Sequence, residues 1–384
     1  MKILTNSLGI ETKIFARTIE PDAIDQIKNL MEYPPYAKEK IRIMPDVHLG
    51  KGCTIGTTMT ISDSLTPNLV GVDIGCGMLT IKLKNQKINY KKLDSIIRMN
   101  VPHGFNIHSS QAAEFDFSKI RATRNIDIDR AKLSIGSLGG GNHFIEIGES
   151  DKGNLYLIIH SGSRKLGTDI CNYYQKLALE QLTERYLEEN KDEIPSKKGK
   201  RKRRLNIPNR DLAHLTGKDF DDYMNDMQIV QKYASLNRAT MAQIIIDKCG
   251  FEELDRFETI HNYIDFENMI LRKGAVSAQK GEKLLIPFNM RDGSLICVGK
   301  GNADWNYSAP HGAGRLMSRT QARRELDMDE FKNSMKDIFT TSLKKSIIDE
   351  APKAYKPMDE IINAIGDTAE IVEKIKPLYN FKAE

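Results

Sequence analysis

Five of the eight histidines sit in glycine-rich or strand-end segments: His48 in PDVHLGKG, His143 in GGGNHFIE, His160 in IIHSGSR, His261 in IHNYI and His311 in APHGAGR. Glycine lets backbone approach a ligand closely and leaves neighbouring side chains facing a cleft. In VGVDIGCGM, Asp73 and Cys76 stand three apart across a glycine-containing turn, so carboxylate and thiolate can converge on one ion. Taken alone, the pair reads equally well as a turn aspartate beside a small buried thiol. His143, His160 and His261 can complete a shell around one or two metal ions. Ligand softness favours zinc, and the carboxylate leaves manganese open.

Phosphate handling is the second chemistry these segments offer. Gly139, Gly140 and Gly141 precede Asn142 and His143 and can form a backbone nest for phosphate, or simply a turn between strands. Arg164, in the Ser/Gly turn after His160, and Arg315, after His311, suit bidentate contact with phosphate oxygens. A histidine beside such backbone can be a general base, a metal ligand or a covalent nucleophile. Neither a Walker motif nor GxGxxG in strand–helix context is present, so no standard nucleotide-binding fold is supported. His103, His108 and His214 lie in polar stretches without partner motifs and read as loop histidines.

The elements that must hold these residues follow from local pattern. Residues 41 to 85 alternate short β-branched runs with glycine turns, which predicts strands and tight loops. FIEI and LYLIIH predict two more strands, and a polar helix is expected over about 169–190. From Phe220 to Ile246 the pattern is helical: Met227, Val230, Ala234, Met241 and Ile245 fall on one face, and Thr216 with Asp219 offers a capping-box start. KLLIPF and SLICVG return to strands. After Pro310 the chain reads as helix, ending in an amphipathic stretch near 357–376. No fixed-period repeat appears, and motifs come from both halves, so a single large α+β domain over residues 1–384 is expected.

Composition narrows the setting. With 40% hydrophobic and 28% charged residues in 384, the chain can bury a core and is not disordered as a whole. Lys plus Arg is 57 and Asp plus Glu 52, a net +5. The tract Lys197–Arg204 alone carries seven positive charges, and without them +5 becomes −2. The basicity is thus local, in a predicted loop insert at about 191–210 that includes Lys200, Arg201 and Arg203. That loop is either solvated or a contact for a nucleic-acid backbone. No apolar run reaches the roughly 20 residues a membrane helix needs, and the N-terminus lacks a signal-peptide core. Five scattered cysteines without CxxC point to a reduced, cytoplasmic protein and not to a disulfide framework.

In order along the chain, MPDVHLGKGCTIG, PNLVGVDIGCGM, GSLGGGNHFIEI, IHSGSRKLG, HNYI and SAPHGAGRLMSRTQA resemble the RtcB family of RNA-splicing ligases. The likeness runs from about residue 40 to the C-terminus and includes AYKPMDEIINA. It implies that family's α+β fold, with central sheets surrounded by helices. It also implies a GTP- and Mn²⁺-dependent ligase that joins RNA 3′-phosphate or 2′,3′-cyclic phosphate ends to 5′-hydroxyl ends, on tRNA halves or cleaved RNA.

Carried over residue by residue, the resemblance gives Asp73, Cys76 and His143 to one Mn²⁺. Cys76 bridges to a second ion held by His160 and His261, and His311 becomes the guanylylated nucleophile. Asn142, His143, Phe144, Glu146, Asn262, Pro287, Asn289, Met290, Ser294, Gly312, Ala313 and Gly314 align with guanylate-contacting blocks. The usual Gly-Ser reads Phe288-Asn289 here. Lys382 stands in for a C-terminal guanine-contacting lysine, with two residues beyond it. SGSRGLGHQ appears as SGSRKLGTD, and Asp46 with His48 matches an acidic motif. The same residues, read without the resemblance, also fit a two-metal phosphoesterase or a non-catalytic RNA-binding scaffold. His311 separates ligase from phosphoesterase, since hydrolysis needs no histidine nucleophile, and the intact ligand set argues against a scaffold.

Overall fold

The computed structural model describes residues 1–190 and 207–383; the tract at 197–204, with Lys200, Arg201 and Arg203, lies outside the described residues. The apolar run before His160 forms the Leu155–Ser161 strand, buried at every position. A strand covered on both faces belongs at the middle of a sheet, and this one does. It lies in a seven-stranded antiparallel sheet ordered Glu253–Ile260, Gly77–Leu83, Leu155–Ser161, Phe144–Ser150, Ala369–Lys382, Gly293–Gly299, Lys283–Asn289.

A six-stranded sheet runs Lys2–Thr5, Glu11–Ile14, Ile41–His48, Ile55–Thr60, Ile270–Lys273, Asn262–Asp265. His261 is the single residue between the strands Glu253–Ile260 and Asn262–Asp265, so it stands where the chain passes from one sheet to the other. His311 follows the short Ser308–Pro310 strand, which pairs with Ala275–Ser277.

Strand alternation decides what each face of the seven-stranded sheet touches. Leu79, Ile81, Ile145, Ile147, Leu157, Ile159, Tyr379 and Phe381 pack with Met241 and Ile245 of the Gly217–Cys249 helix. Residues of the other parity, including His160, Phe144 and Glu146, are left for the opposite face. The long helix carries the expected apolar face, with Met227, Val230, Ala234, Met241 and Ile245 all buried. Its N-cap is Thr216, yet the threonine side chain makes no capping hydrogen bond. The polar helix begins earlier than expected, at Arg164, and runs to Glu189.

The expectation for the C-terminal part fails. After Pro310 the chain forms short α-helices at Arg319–Glu325, Met328–Ser334 and Met358–Ile362, and Ala369–Lys382 is the longest strand among the described residues. The apolar residues of AEIVEKIKPLYNFK satisfy both periods. The open place between Phe144–Ser150 and Gly293–Gly299 selects strand, and Pro377 sits at a register shift where its missing N–H is tolerated. Among the described residues, no helix is long and apolar enough to cross a membrane, and all five cysteines are free.

Candidate active site

Antiparallel pairing gathers the motifs at one end of the seven-stranded sheet. Cys76 precedes Gly77–Leu83, His143 precedes Phe144–Ser150, and His160 and Lys382 lie at the ends of their strands. Register then sets side chain against side chain: Met78 pairs with His160, His160 with Phe144, and Phe144 with Lys382. Behind this row lies a second, in which Thr80 pairs with Ile158, Ile158 with Glu146, and Glu146 with Asn380. Two ladder rungs thus build the floor of a site from four strands.

At the edge of that floor the electron-rich atoms converge. His143 Nδ1–H donates to the Leu138 carbonyl at 2.8 Å, which leaves the Nε2 lone pair pointing inward. That Nε2 lies 3.0 Å from Asp73 Oδ2 and 3.5 Å from Cys76 Sγ. Cys76 Sγ lies 3.3 Å from His160 Nε2, which in turn is 3.1 Å from His261 Nε2. Ligands roughly 2.0–2.3 Å from a shared ion stand about 3–3.5 Å from one another, and these atoms have that spacing. Cys76, His143 and His160 can share one ion; Asp73 joins through His143 and His261 through His160, with Cys76 central to both groups.

Electrostatics agree with a cation-binding role. Burial, together with the neighbouring histidines, pushes His160 well below its ordinary pKa, and burial does the same to His261. Both rings are therefore neutral, and their Nδ1 atoms are buried without a hydrogen-bond partner. Burial and the Asp73 charge push the Cys76 thiol well up, so a thiolate here requires a cation beside it. The donor set fits divalent cations held by nitrogen, sulfur and one carboxylate.

His311 occupies the other side, its ring centroid 4.9 Å from that of His261. Asp46, on Ile41–His48 and 0% exposed, accepts from both the His311 backbone N–H (3.0 Å) and its Nδ1–H (2.6 Å) through Oδ2. The proton is thus fixed on Nδ1, and Nε2 makes no hydrogen bond among the described residues. His48 stands beside this pair; its Nδ1 bonds to the Asp46 carbonyl, and burial holds its pKa down to about 4. Gly314, at φ +75, presses on Asp46: an added Cβ would come 2.3 Å from the Asp46 carbonyl oxygen.

Between the two groups opens a cavity of about 220 Å³. His160, His261 and His311 line it. So do Asn142, Phe144, Glu146, Pro287, Asn289, Met290, Ser294, Gly312, Ala313, Gly314, Arg315 and Lys382. Lys382 Nζ bonds to the Asn142 carbonyl (3.1 Å) and to Glu350 Oε2 (2.6 Å), over the Phe144 ring. Burial alone would raise the Glu350 carboxyl, but Lys382 and Arg319 outweigh it and bring it to about 2. Glu146 has no such cation in contact. Its Oε2 accepts from Asn380 (2.9 Å), Oε1 is unpartnered, and burial pushes the carboxyl up to about 8.

Other expected residues lie elsewhere or have different partners. Asn262 reaches the Asp73 carbonyl (3.5 Å) and takes the Gly274 N–H (3.0 Å), which ties loops together outside the cavity. Asn289 Oδ1 accepts from the Arg291 and Asp292 N–H groups and closes a turn. The Arg164 guanidinium bonds Ser137 Oγ (3.1 Å) and the Gly104 carbonyl (3.1 Å). Arg315 bonds the Asp349 carbonyl (2.6 Å) and Tyr355 Oη (3.2 Å). The sequence reading missed Glu350, Arg319 and Asn380. Asn380 would have been found had Ala369–Lys382 been read as a strand, because alternation puts it beside Lys382 on the cavity face.

A sequence profile for the family described as tRNA-splicing ligase RtcB matches residues 26–127 and 111–383. The RNA-splicing ligase RtcB of Escherichia coli strain K12 is 31% identical over 406 residues, covering 93% of each chain. The tRNA-splicing ligase RtcB of Archaeoglobus fulgidus is 25% identical over 456 residues, covering 94% of this chain and 91% of its own. An RNA-splicing ligase RtcB2 from a second Escherichia coli strain is 26% identical over 408 residues. The chain belongs to the tRNA-splicing ligase RtcB family.

Proposed function

We propose that this protein is a GTP-dependent RNA ligase that joins 3′-phosphate or 2′,3′-cyclic phosphate ends to 5′-hydroxyl ends through a guanylylated His311. The observation that carries this reading is the His311 imidazole, protonated on Nδ1 by its bond to buried Asp46, with Nε2 free at the wall of the cavity. A neutral imidazole nitrogen so held is a nucleophile toward phosphorus. Family membership supports RNA as the substrate, and the relatives' names support ligation.

In this scheme His311 Nε2 attacks the GTP α-phosphorus, and the bond to the β-phosphate oxygen breaks as pyrophosphate leaves. The ring gains positive charge as the N–P bond forms, and Asp46 stabilises it. An RNA 3′-phosphate oxygen next takes the GMP group, which frees His311. The 5′-hydroxyl then attacks the activated 3′-phosphorus and GMP leaves. Asp73, Cys76, His143, His160 and His261 would hold two Mn²⁺, which supply charge neutralisation at phosphate and an activated water for opening a cyclic end. Lys382 and Phe144 flank the guanine position, and Glu146 Oε1 and Asn380 Oδ1, buried without partners, are left for its polar edge. Incubating the protein with α-labelled GTP and Mn²⁺ is expected to give an acid-labile, alkali-stable adduct, with joined product once RNA ends are added. No adduct on the wild type would refute the proposal.

Glu146 adds a pH test. Its folded pKa of about 8 lies above the ordinary 4.5, so its contribution to stability is intact below 4.5 and is lost as pH rises through 8. The loss accumulates as the unfolded chain ionises ahead of the folded one across that window. Glu146→Gln is expected to melt like wild type near pH 5 and above it at pH 8 without GTP, while binding GTP more weakly. A melting difference that does not change with pH would exclude this assignment.

A further inference from the structure

The Gly217–Cys249 helix carries two adjacent polar side chains on its buried face, Asn237 and Arg238, each 0% exposed. Burying a guanidinium costs several kcal/mol unless its donors are well matched, and here Nη2 remains without a partner. Packing alone does not explain such a residue. What a guanidinium does that an apolar side chain cannot is bind several acceptors at fixed angles.

The acceptors it binds are the neighbours of the candidate metal ligands. Arg238 Nη1 donates to the Gly75 carbonyl (2.7 Å), one residue before Cys76, and to the Ser161 carbonyl (2.6 Å), one residue after His160. Nε donates to Glu258 (2.7 Å), on the strand that ends just before His261. The Gly75 N–H donates to the Asn262 carbonyl (2.7 Å), next to His261. Gly75 itself, at φ +71, is pressed against the helix, where an added Cβ would meet Ala234 Cβ at 2.9 Å.

Asn237 serves His143. Its Oδ1 accepts from the Gly136 and Ser137 N–H groups (2.8 and 3.0 Å), and its Nδ2 donates to the Gly162 carbonyl (3.1 Å) and Ser161 Oγ (3.2 Å). Ser161 Oγ–H donates to the Leu138 carbonyl (2.8 Å), the same oxygen that takes the His143 Nδ1 proton.

We infer that Asn237 and Arg238 are positioning residues that hold the Cys76, His143, His160 and His261 segments at metal-binding spacing before any cation arrives. The inference rests on the reading of those residues as metal ligands. Groups that orient ligands from behind typically change metal affinity 10–100-fold when altered. Arg238→Lys keeps the charge for Glu258 but cannot reach both carbonyls. Asn237→Asp keeps the volume and the acceptor and loses both Nδ2 donors; its added negative charge would by itself favour a cation.

The full-length protein, without GTP or RNA, is titrated with Mn²⁺ while the free-ion signal is followed by electron paramagnetic resonance, and the cation-free melting temperature is recorded alongside. Each variant is expected to bind Mn²⁺ about 10–100-fold more weakly than wild type. A variant that melts lower yet binds with wild-type affinity has lost only structure, and that outcome overturns the inference. Should Arg238→Lys not fold, Asn237→Asp decides in the same way. Wild type that takes up no Mn²⁺ refutes the metal reading itself, a result distinct from equal affinity in wild type and variants.

Discussion

His311→Ala is expected to abolish labelling by α-labelled GTP while leaving Mn²⁺ uptake within a few-fold of wild type. The two effects separate because His311 is not among the converging ligand atoms; its ring stands beside His261, and its anchor is Asp46. Loss of the nucleophile leaves no nitrogen to carry GMP. Asp46→Asn tests the second half of the pair. An asparagine can still accept from the His311 backbone N–H and Nδ1–H through its oxygen, so the ring stays in place. The negative charge that stabilises a cationic imidazole in the transition state is gone. Removing the carboxylate partner of a catalytic histidine has cost on the order of 10⁴-fold in rate, and a drop of roughly 10²–10⁴ is expected here, read as the rate of adduct formation at saturating GTP. Labelling of His311→Ala at the wild-type level would place the nucleophile elsewhere, and an unchanged rate for Asp46→Asn would reduce that residue to a packing role.

Much of this site is legible in the sequence, because glycine-flanked histidines are uncommon outside clefts and the strands before and after them alternate cleanly. His143, His160, His261 and Cys76 were identifiable as a set by residue type, and their convergence follows from antiparallel register. The C-terminal strand was not legible. Ile371, Ile375 and Leu378 fit a helical face, while Ile371, Ile375 and Tyr379 fit alternate strand positions, and only the gap between two other strands decides between them. That ambiguity concealed Asn380 and the ladder pairing of Lys382 with Phe144.

Long-range polar pairs are hidden for a different reason. Asp46 and His311 are far apart in the chain, and no local period reports their contact. Asn237 and Arg238 did leave a signal. An arginine stands four residues after Ala234 and three before Met241, within the apolar stripe of the long helix. A charged residue at a core position needs a specific set of partners, and here the partners are the backbone of the ligand loops.

Cys76→Ala should show the largest effect on cation binding, because its sulfur lies between the two groups of ligand atoms, 3.5 Å from His143 Nε2 and 3.3 Å from His160 Nε2. Deleting an outer ligand from one group would leave the other intact. Deleting the atom common to both weakens each, and removes the one soft anionic donor the pocket contains. Wild type is expected to melt higher as Mn²⁺ is added, by the equivalent of about 2.7 kcal/mol once the ion reaches a hundred times its dissociation constant. Cys76→Ala is expected to show little or no such rise and no detectable GTP adduct. Without cation, the variant should melt within a few degrees of wild type, since the thiol's hydrogen bonds go to the ligand cluster and the adjacent Gly77 backbone. Cys76→Ser keeps a donor atom of similar placement but one that does not ionise beside a divalent cation as a thiol does, so it should resemble the alanine variant. A full Mn²⁺-dependent rise in melting temperature for either variant would show that the two ligand groups act independently of the sulfur, and would remove Cys76 from the metal site.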